Sequence, residues 1–325
     1  MNDFIEQYDT GHVTDRLYIH WDVSTQCQFK CSYCYAMEQY GWESDESPGE
    51  WGLRDSWFKQ ELIINTFKRS TLPIFLGLQG GEPTIHPRYP EMIEKCIEAI
   101  SVHDLGRLYV TTNGLRGPKF FEKQQYYDRL MFLWSFHPET SKQYGNNFYK
   151  IVDSIKVCIN KGHRCRVNVM LHSDKKYWSD IHRFIDIIES IDGAEIHPHW
   201  IYKDGDPHSG VVDYSDHFYK EFERFKNYPE WLIFKKVDDT KLKLNDYQIF
   251  LNGAFNFKNW NCWHNNYEIS WDGKVSKACE LGEEANLTIS PFYFKNIKKI
   301  QPVTCPHTSC ACDGHLKIKK CRNLK

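Results

Sequence analysis

The stretch CQFKCSYCY (27–35) sets Cys27, Cys31 and Cys34 on one short segment at C-x₃-C-x₂-C spacing, with no fourth cysteine or histidine inside it. Thiolates hold iron–sulfur clusters and zinc, and a closed site of either kind takes four protein ligands. Three thiolates hold three irons of a [4Fe–4S] cubane and leave the fourth iron open to a small molecule. The competing reading is a zinc knuckle closed by a distant residue such as His12 or His20.

A second group of cysteines follows residue 260: Cys262, Cys279, Cys305, Cys310, Cys312 and Cys321. Six are too few to ligate two cubanes fully, and enough for one. Because His264, His307 and His315 lie among them, a structural zinc site is the alternative there. Cys96, Cys158 and Cys165 fall in apolar helix or strand patterns and read as buried thiols.

The elements that must position these groups are legible as short apolar runs between longer amphipathic stretches. RLYIHWDV (16–23), PIFLGLQ (73–79), RLYVTTN (107–113), LMFLWSF (130–136), RCRVNVML (164–171) and AEIHPHWIY (194–202) read as strands. Helical spacing falls between them, at 55–69, 88–102, 118–128, 147–161 and 177–191, and again at 214–227. Strand and helix in alternation imply parallel strands with right-handed crossovers. The expected fold is α/β, a partial (β/α)6 TIM-like barrel with a small cysteine-rich C-terminal domain, divided as 1–228 and 229–325. The second domain is expected from WLIFKKV and YEISW, with a hairpin turn at Asp272-Gly273. KDGDPHSG (203–210) reads as a linker or a loop over the barrel mouth.

The 325 residues, 41% hydrophobic and 15% aromatic, suffice for a large packed core. A formal charge of −2 excludes a globally basic nucleic-acid binder, although residues 291–325 hold eight Lys/Arg against one acid, Asp313. The start MNDFIEQYDTGHVTD is not a signal peptide, and no apolar run reaches membrane-spanning length. A cytoplasmic location is expected, where twelve cysteines point to metal binding, reactivity or packing before disulfides. The acidic loop 43–48 and Glu280, Glu283 and Glu284 read as solvated surface. No Ser-His-Asp arrangement or phosphate-binding P-loop is present.

Position gives the first cysteines a meaning, because parallel barrels carry their chemistry on loops at the carboxyl ends of the strands. The triad Cys27, Cys31 and Cys34, with Tyr33 before the last cysteine, resembles the signature of the radical S-adenosylmethionine (radical SAM) superfamily. LQGGEPT (78–84), at the end of the second strand, is similar to its Gly-Gly-Glu motif. In that resemblance the open iron is chelated by S-adenosylmethionine (AdoMet). Gly80 and Gly81 let backbone approach a ligand, Glu82 accepts from its ammonium, and Pro83 completes the turn. Asn113 in TTNG (111–114), Ser135 and Asn168, on the third, fourth and fifth strands, match its later cofactor contacts; each alone equally reads as a turn or core residue. The cysteines after 260 resemble the auxiliary-cluster extension called SPASM or its shorter twitch form. The usual central C-x₂-C-x₅-C-x₃-C run is missing. Cys279, Cys305, Cys310 and Cys312 form the first ligand set, with Cys262 the main competitor and Cys321 less favoured.

The resemblance implies a [4Fe–4S] cluster that passes an electron to AdoMet, a 5′-deoxyadenosyl radical that abstracts hydrogen, and an auxiliary [4Fe–4S] cluster that aids oxidation or crosslinking. An external one-electron reductant such as flavodoxin or ferredoxin is implied as a partner. Peptide maturation is the first substrate expectation. About fifteen residues precede the first strand, which leaves no room for a leader-binding domain and weakens it. A small metabolite, nucleoside or nucleic acid is the alternative, and His137, Glu139, His197 and His199 are candidates to meet the substrate or to stand behind those that do. A non-catalytic iron–sulfur electron carrier or a zinc scaffold is the reading of another class; an electron carrier has no need of the turn Gly80-Gly81-Glu82.

Overall fold

The structure, a computed structural model, describes residues 4–9, 15–34, 53–142, 146–205, 209–252, 256–277, 285–287, 290–310 and 316–322. The acidic loop 43–48, Cys279, Cys312, His12, His315 and Glu280, Glu283 and Glu284 lie outside the described residues.

The strands, in chain order, begin with β1 (Phe4–Asp9). Next come β2 (Leu17–Ser24), β3 (Ile74–Gly80), β4 (Arg107–Thr112), β5 (Leu130–Phe136), β6 (Arg164–Leu171) and β7 (Ala194–Trp200). Among these lie α1 (Leu53–Phe67), α2 (Tyr89–Ile100), α3 (Pro118–Glu122), α4 (Asn147–Asn160) and α5 (Trp178–Glu189). Beyond them are β8 (Leu232–Lys236), β9 (Lys241–Leu244), β10 (Trp260–Cys262), β11 (Asn266–Ile269) and β12 (Lys274–Lys277), then β13 (Ala285–Asn286), β14 (Val303–Thr304) and β15 (Lys320–Arg322). Each of the six strands read from the sequence is found, and the third helix is cut to five residues, Pro118–Glu122.

Contacts divide the chain into two compact units: residues 16–199 with 267–298, and residues 1–15 with 200–266 and 299–325. This differs from a cut at 228. Residues 1–15 hold a strand, β1, that joins the second unit, and the hairpin β11–β12, placed by the sequence in the second domain, extends the sheet of the first.

In the first unit β2 through β7 lie side by side in sequence order, and the pairs from β2 to β6 run parallel. The far edge of β2 pairs with β11 rather than closing on β7, so the barrel is partial and open. Side chains alternate across each strand. Leu17, Ile19, Trp21 and Val23 of β2 are buried, as are Phe132, Trp134 and Phe136 of β5. Helix faces recurring every three or four residues cover that side, among them Met92, Ile93, Cys96 and Ile100 of α2 and Ile181, Phe184, Ile185 and Ile188 of α5. Phe184 stacks on Phe136 with ring centroids 3.8 Å apart. The opposite, half-buried face carries polar groups among apolar ones: His20 shares its Nδ1 with the Tyr109 hydroxyl (2.9 Å) and Gln79 (3.3 Å). That bonding sets His20 in mid-strand, among the concave-face side chains, instead of at a zinc knuckle.

The second unit is a six-stranded sheet in the order β14-β10-β15-β1-β8-β9, antiparallel at every neighbouring pair. β8 supplies much of its apolar side, with Leu232 and Phe234 buried. No helix among the described residues is long and apolar enough to cross a membrane.

Because Phe184 is fully buried against two aromatic rings, Phe136 and Phe148, Phe184→Ala is expected to cost about 3–5 kcal/mol. Urea denaturation of the variant against wild type measures it.

Candidate functional site

The cysteine loop leaves the carboxyl end of β2, where the pairing with β3 slips by one residue between Asp22 and Ser24 opposite Gly80. It docks on the next strand end through backbone hydrogen bonds. Gly81 N–H donates to Ser24 O and Glu82 N–H donates to Gln26 O, both at 2.7 Å. Gly80 is held at φ +109°, and a Cβ on Gly81 would stand 2.0 Å from Gln26 O. What approaches these glycines is the loop's own backbone, so their first duty is to let the loop pack.

Glu82 is buried, and its carboxylate binds the strand ends together. Thr84 N–H (3.1 Å), the Thr84 hydroxyl and the Thr112 hydroxyl (2.8 Å) donate to Oε1, and Asn113 N–H (2.7 Å) donates to Oε2. Burial raises its pKa, and those hydrogen bonds oppose the rise. The carboxylate thus caps the 3₁₀ turn Pro83–Ile85, in which Pro83 is buried, and keeps one acceptor position on Oε2 beyond its bond from Asn113. Asn113 returns the connection to the cysteine loop: its Nδ2 donates to Cys27 Sγ at 3.7 Å, and its Oδ1 accepts from Leu115 N–H at 3.0 Å.

Cys27 also accepts from Phe29 N–H (3.3 Å). Cys27 and Cys34 are partly exposed and Cys31 is buried. Burial, the Glu82 carboxylate and Cys34 push the Cys27 thiol up to about 12. Burial, the two other thiols and Glu139 raise Cys31 as well. Three adjacent sulfurs whose negative charges repel one another in a buried setting are a donor set that iron satisfies, since metal charge offsets both burial and repulsion. The chemistry of these three donors suits iron. No group of three His, Cys, Asp or Glu among the described residues is gathered tightly enough to hold a single metal ion.

The other flank of the loop is tied to the ends of β5 and β6. Ser32 donates both its N–H (2.8 Å) and its hydroxyl (2.5 Å) to Glu139. His172 Nε2 lies 3.1 Å from Glu139 Oε1, and its Nδ1 accepts from Asp174 N–H at 3.0 Å, so the ring hydrogen on Nε2 is the one donated to Glu139. Burial would raise Glu139, yet the bonds from His172 and Ser32 outweigh it and hold the carboxyl down to about 2. Tyr33 stacks on His137 and bonds its Nδ1 at 3.2 Å, while burial lowers His137 to about 4. His137 and Glu139, expected near a substrate, are therefore joined to the cysteine loop. His172 carried no signal in the sequence, since its partner lies 33 residues away.

Ser135 and Asn168 sit opposite each other across β5 and β6 on the half-buried concave face. Asn168 Oδ1 is buried with no hydrogen-bond donor among the described residues. An orphaned acceptor on that face is a place for a ligand's donor.

In the second unit the structure brings Cys262 and Cys305 together: Cys305 N–H donates to Trp260 O at 2.8 Å, and Cys262 pairs with Val303. Burial raises Cys262 to about 11, with Cys305 adding to the rise and Lys320 opposing it. Cys310 is buried. Cys321 neighbours Asn261 and its thiol donates to Glu6 at 3.7 Å, so strand alternation puts it on the opposite face from Cys262. Much of the basic segment is used internally. Lys319 pairs with Glu6 (2.8 Å), Lys320 is buried and donates to Gln7 Oε1 (3.1 Å), and Lys317 and Arg322 lie over Trp231 and Trp260. Cys96, Cys158 and Cys165 are buried as expected.

The structure of native anSMEcpe with bound AdoMet is similar to this chain at 15% identity and a TM-score of 0.51, covering 87% of this chain and 83% of that one. Native anSMEcpe with bound AdoMet and the Kp18Cys peptide is similar at 16% identity and 0.52, covering 87% and 81%. The chain has the fold of anSMEcpe. It is the fold that the radical SAM resemblance implies. No protein-family model and no curated protein matches the sequence.

Since a Cβ on Gly81 meets the Gln26 backbone, Gly81→Ala is expected to destabilise the iron-free protein by about 1–3 kcal/mol. Thermal unfolding checks the loss, and limited proteolysis should find new cleavage within 25–34.

Proposed function

We propose that this protein is a radical SAM enzyme. The observation that carries the reading is the ring of contacts at three strand ends: the cysteine loop docked on Gly81 and Glu82, Glu82 bonded to Asn113, and Asn113 bonded back to Cys27. A metal knuckle needs no such ring, whereas a site that must hold a cluster and an amino-acid ligand in fixed relation does. The anSMEcpe fold and its bound AdoMet support the same assignment.

Cys27, Cys31 and Cys34 would hold a [4Fe–4S] cluster. The spare acceptor of Glu82, the turn Gly80-Gly81-Pro83, and Tyr33, Asn113, Ser135 and Asn168 would serve AdoMet. When bound, the pair supplies one-electron reductive cleavage to a 5′-deoxyadenosyl radical, with the electron from an external reductant of the flavodoxin or ferredoxin kind. The protein's own part is to orient: Asn113 and Phe29 fix Cys27 by hydrogen bonds, and the concave face offers Asn168 Oδ1 to a donor.

A peptide is the substrate class we put first, because anSMEcpe is seen with a peptide bound. The second unit would hold an auxiliary cluster with Cys262 and Cys305 in one ligand set, since they are neighbours, completed from Cys310 and Cys312.

The test is anaerobic reconstitution with iron and sulfide, then AdoMet and dithionite, with 5′-deoxyadenosine quantified by chromatography. Wild type is expected to make it and Cys34→Ala to make at least a hundredfold less. Equal yields from the two, or an iron-loaded wild type whose cluster spectrum ignores AdoMet, would overturn the reading.

A further inference from the structure

The cysteine loop has two unlike flanks. On one, N–H groups point at sulfur: Phe29 N–H and Asn113 Nδ2 donate to Cys27. On the other, the loop N–H of Ser32, the residue between Cys31 and Tyr33, donates to a carboxylate, Glu139, at 2.8 Å. Three donors converge on that carboxylate, from Ser32 backbone, Ser32 hydroxyl and His172, and two strand ends hold it in place. Hydrogen bonds to cluster sulfurs raise a reduction potential and local negative charge lowers it. A loop N–H occupied by a carboxylate is lost to sulfur, and the carboxylate adds its charge, so both effects have the same sign. Glu82, another carboxylate near the loop, is surrounded by its own four donors, and no loop N–H among the described residues goes to its oxygens.

We propose that Glu139, oriented by His172, is a positioning residue that lowers the reduction potential of the cluster on Cys27, Cys31 and Cys34 by withholding the Ser32 N–H from sulfur and placing a negative charge beside the loop. The proposal rests on the radical SAM reading, because reducing a sulfonium demands a strongly reducing cluster. It explains why the end of β5 carries an acid that reaches 107 residues back along the chain.

The experiment is an EPR-monitored redox titration of the full, anaerobically reconstituted chain, reading the signal that Cys34→Ala abolishes. Absence of that signal from wild type counts against the cluster itself, and so against the functional reading. With the signal present, Glu139→Gln is expected to move the midpoint positive by about 59 mV, a tenfold change in the one-electron equilibrium. Glu139→Asp, which keeps the charge, is expected to stay near wild type. An unchanged midpoint in E139Q, or a shift in E139D as large as that in E139Q, overturns the proposal. If E139Q folds by circular dichroism but retains no iron, His172→Phe provides the decision: without the donor that orients it, the carboxylate loosens its hold on the Ser32 N–H, so the midpoint should move positive. A midpoint in H172F that is unchanged or more negative overturns the proposal.

Discussion

Two backbone hydrogen bonds set the geometry on which the rest of this site depends. Through them the turn Gly81-Glu82 grips the carbonyls of Ser24 and Gln26, and the grip is possible because no Cβ stands between the chains. The loop path is thus fixed by neighbouring backbone before any metal is considered. Catalytic arrangements gain most from groups held near their working positions in advance. A side chain could be replaced by another of similar reach; two peptide groups at contact distance leave no such freedom.

Glu82 converts that local grip into a property of the sheet. Its carboxylate accepts from residues on its own turn and on the end of β4, so the ends of the first three barrel strands are tied together. Glu139 does the corresponding work from β5 and β6. Between them the two carboxylates anchor the loop at both flanks. Each is offset by several hydrogen bonds, as a buried negative charge must be to persist.

Much of this was legible in the sequence because it is periodic or local. The strands of the barrel are apolar runs with side chains alternating across the sheet, and the helices repeat their apolar positions every three or four residues; burial enforces both. The Gly-Gly-Glu turn was legible as a turn. Its partner was not, since the contact that requires Gly81 comes from Gln26 on a different segment. The same limit hid His172, and it hid β1, a short strand whose neighbours β15 and β8 are remote in sequence. Short antiparallel strands take their partners from tertiary packing, so composition alone does not name them. The basic C-terminal segment misled in the opposite sense: its charges look like a surface patch until Lys319 is found on Glu6 and Lys320 inside the sheet.

The open edge of the barrel matters for what the site can accept. A closed eight-stranded barrel fills its interior with side chains in layers. Here the sheet stops at β7, and the concave face carries His20, Gln79, Tyr109, Ser135 and Asn168 where such a barrel would have aliphatic layers. Polar groups on a half-buried face are costly unless bonded, and His20, Tyr109 and Gln79 meet that cost among themselves. Asn168 leaves its Oδ1 without a donor among the described residues. The face is therefore satisfied at mid-strand and unsatisfied toward the carboxyl ends, on the side where the cysteine loop lies. A ligand carrying hydrogen-bond donors would gain most there, with the loop's sulfurs at one flank and an unmet acceptor at the other.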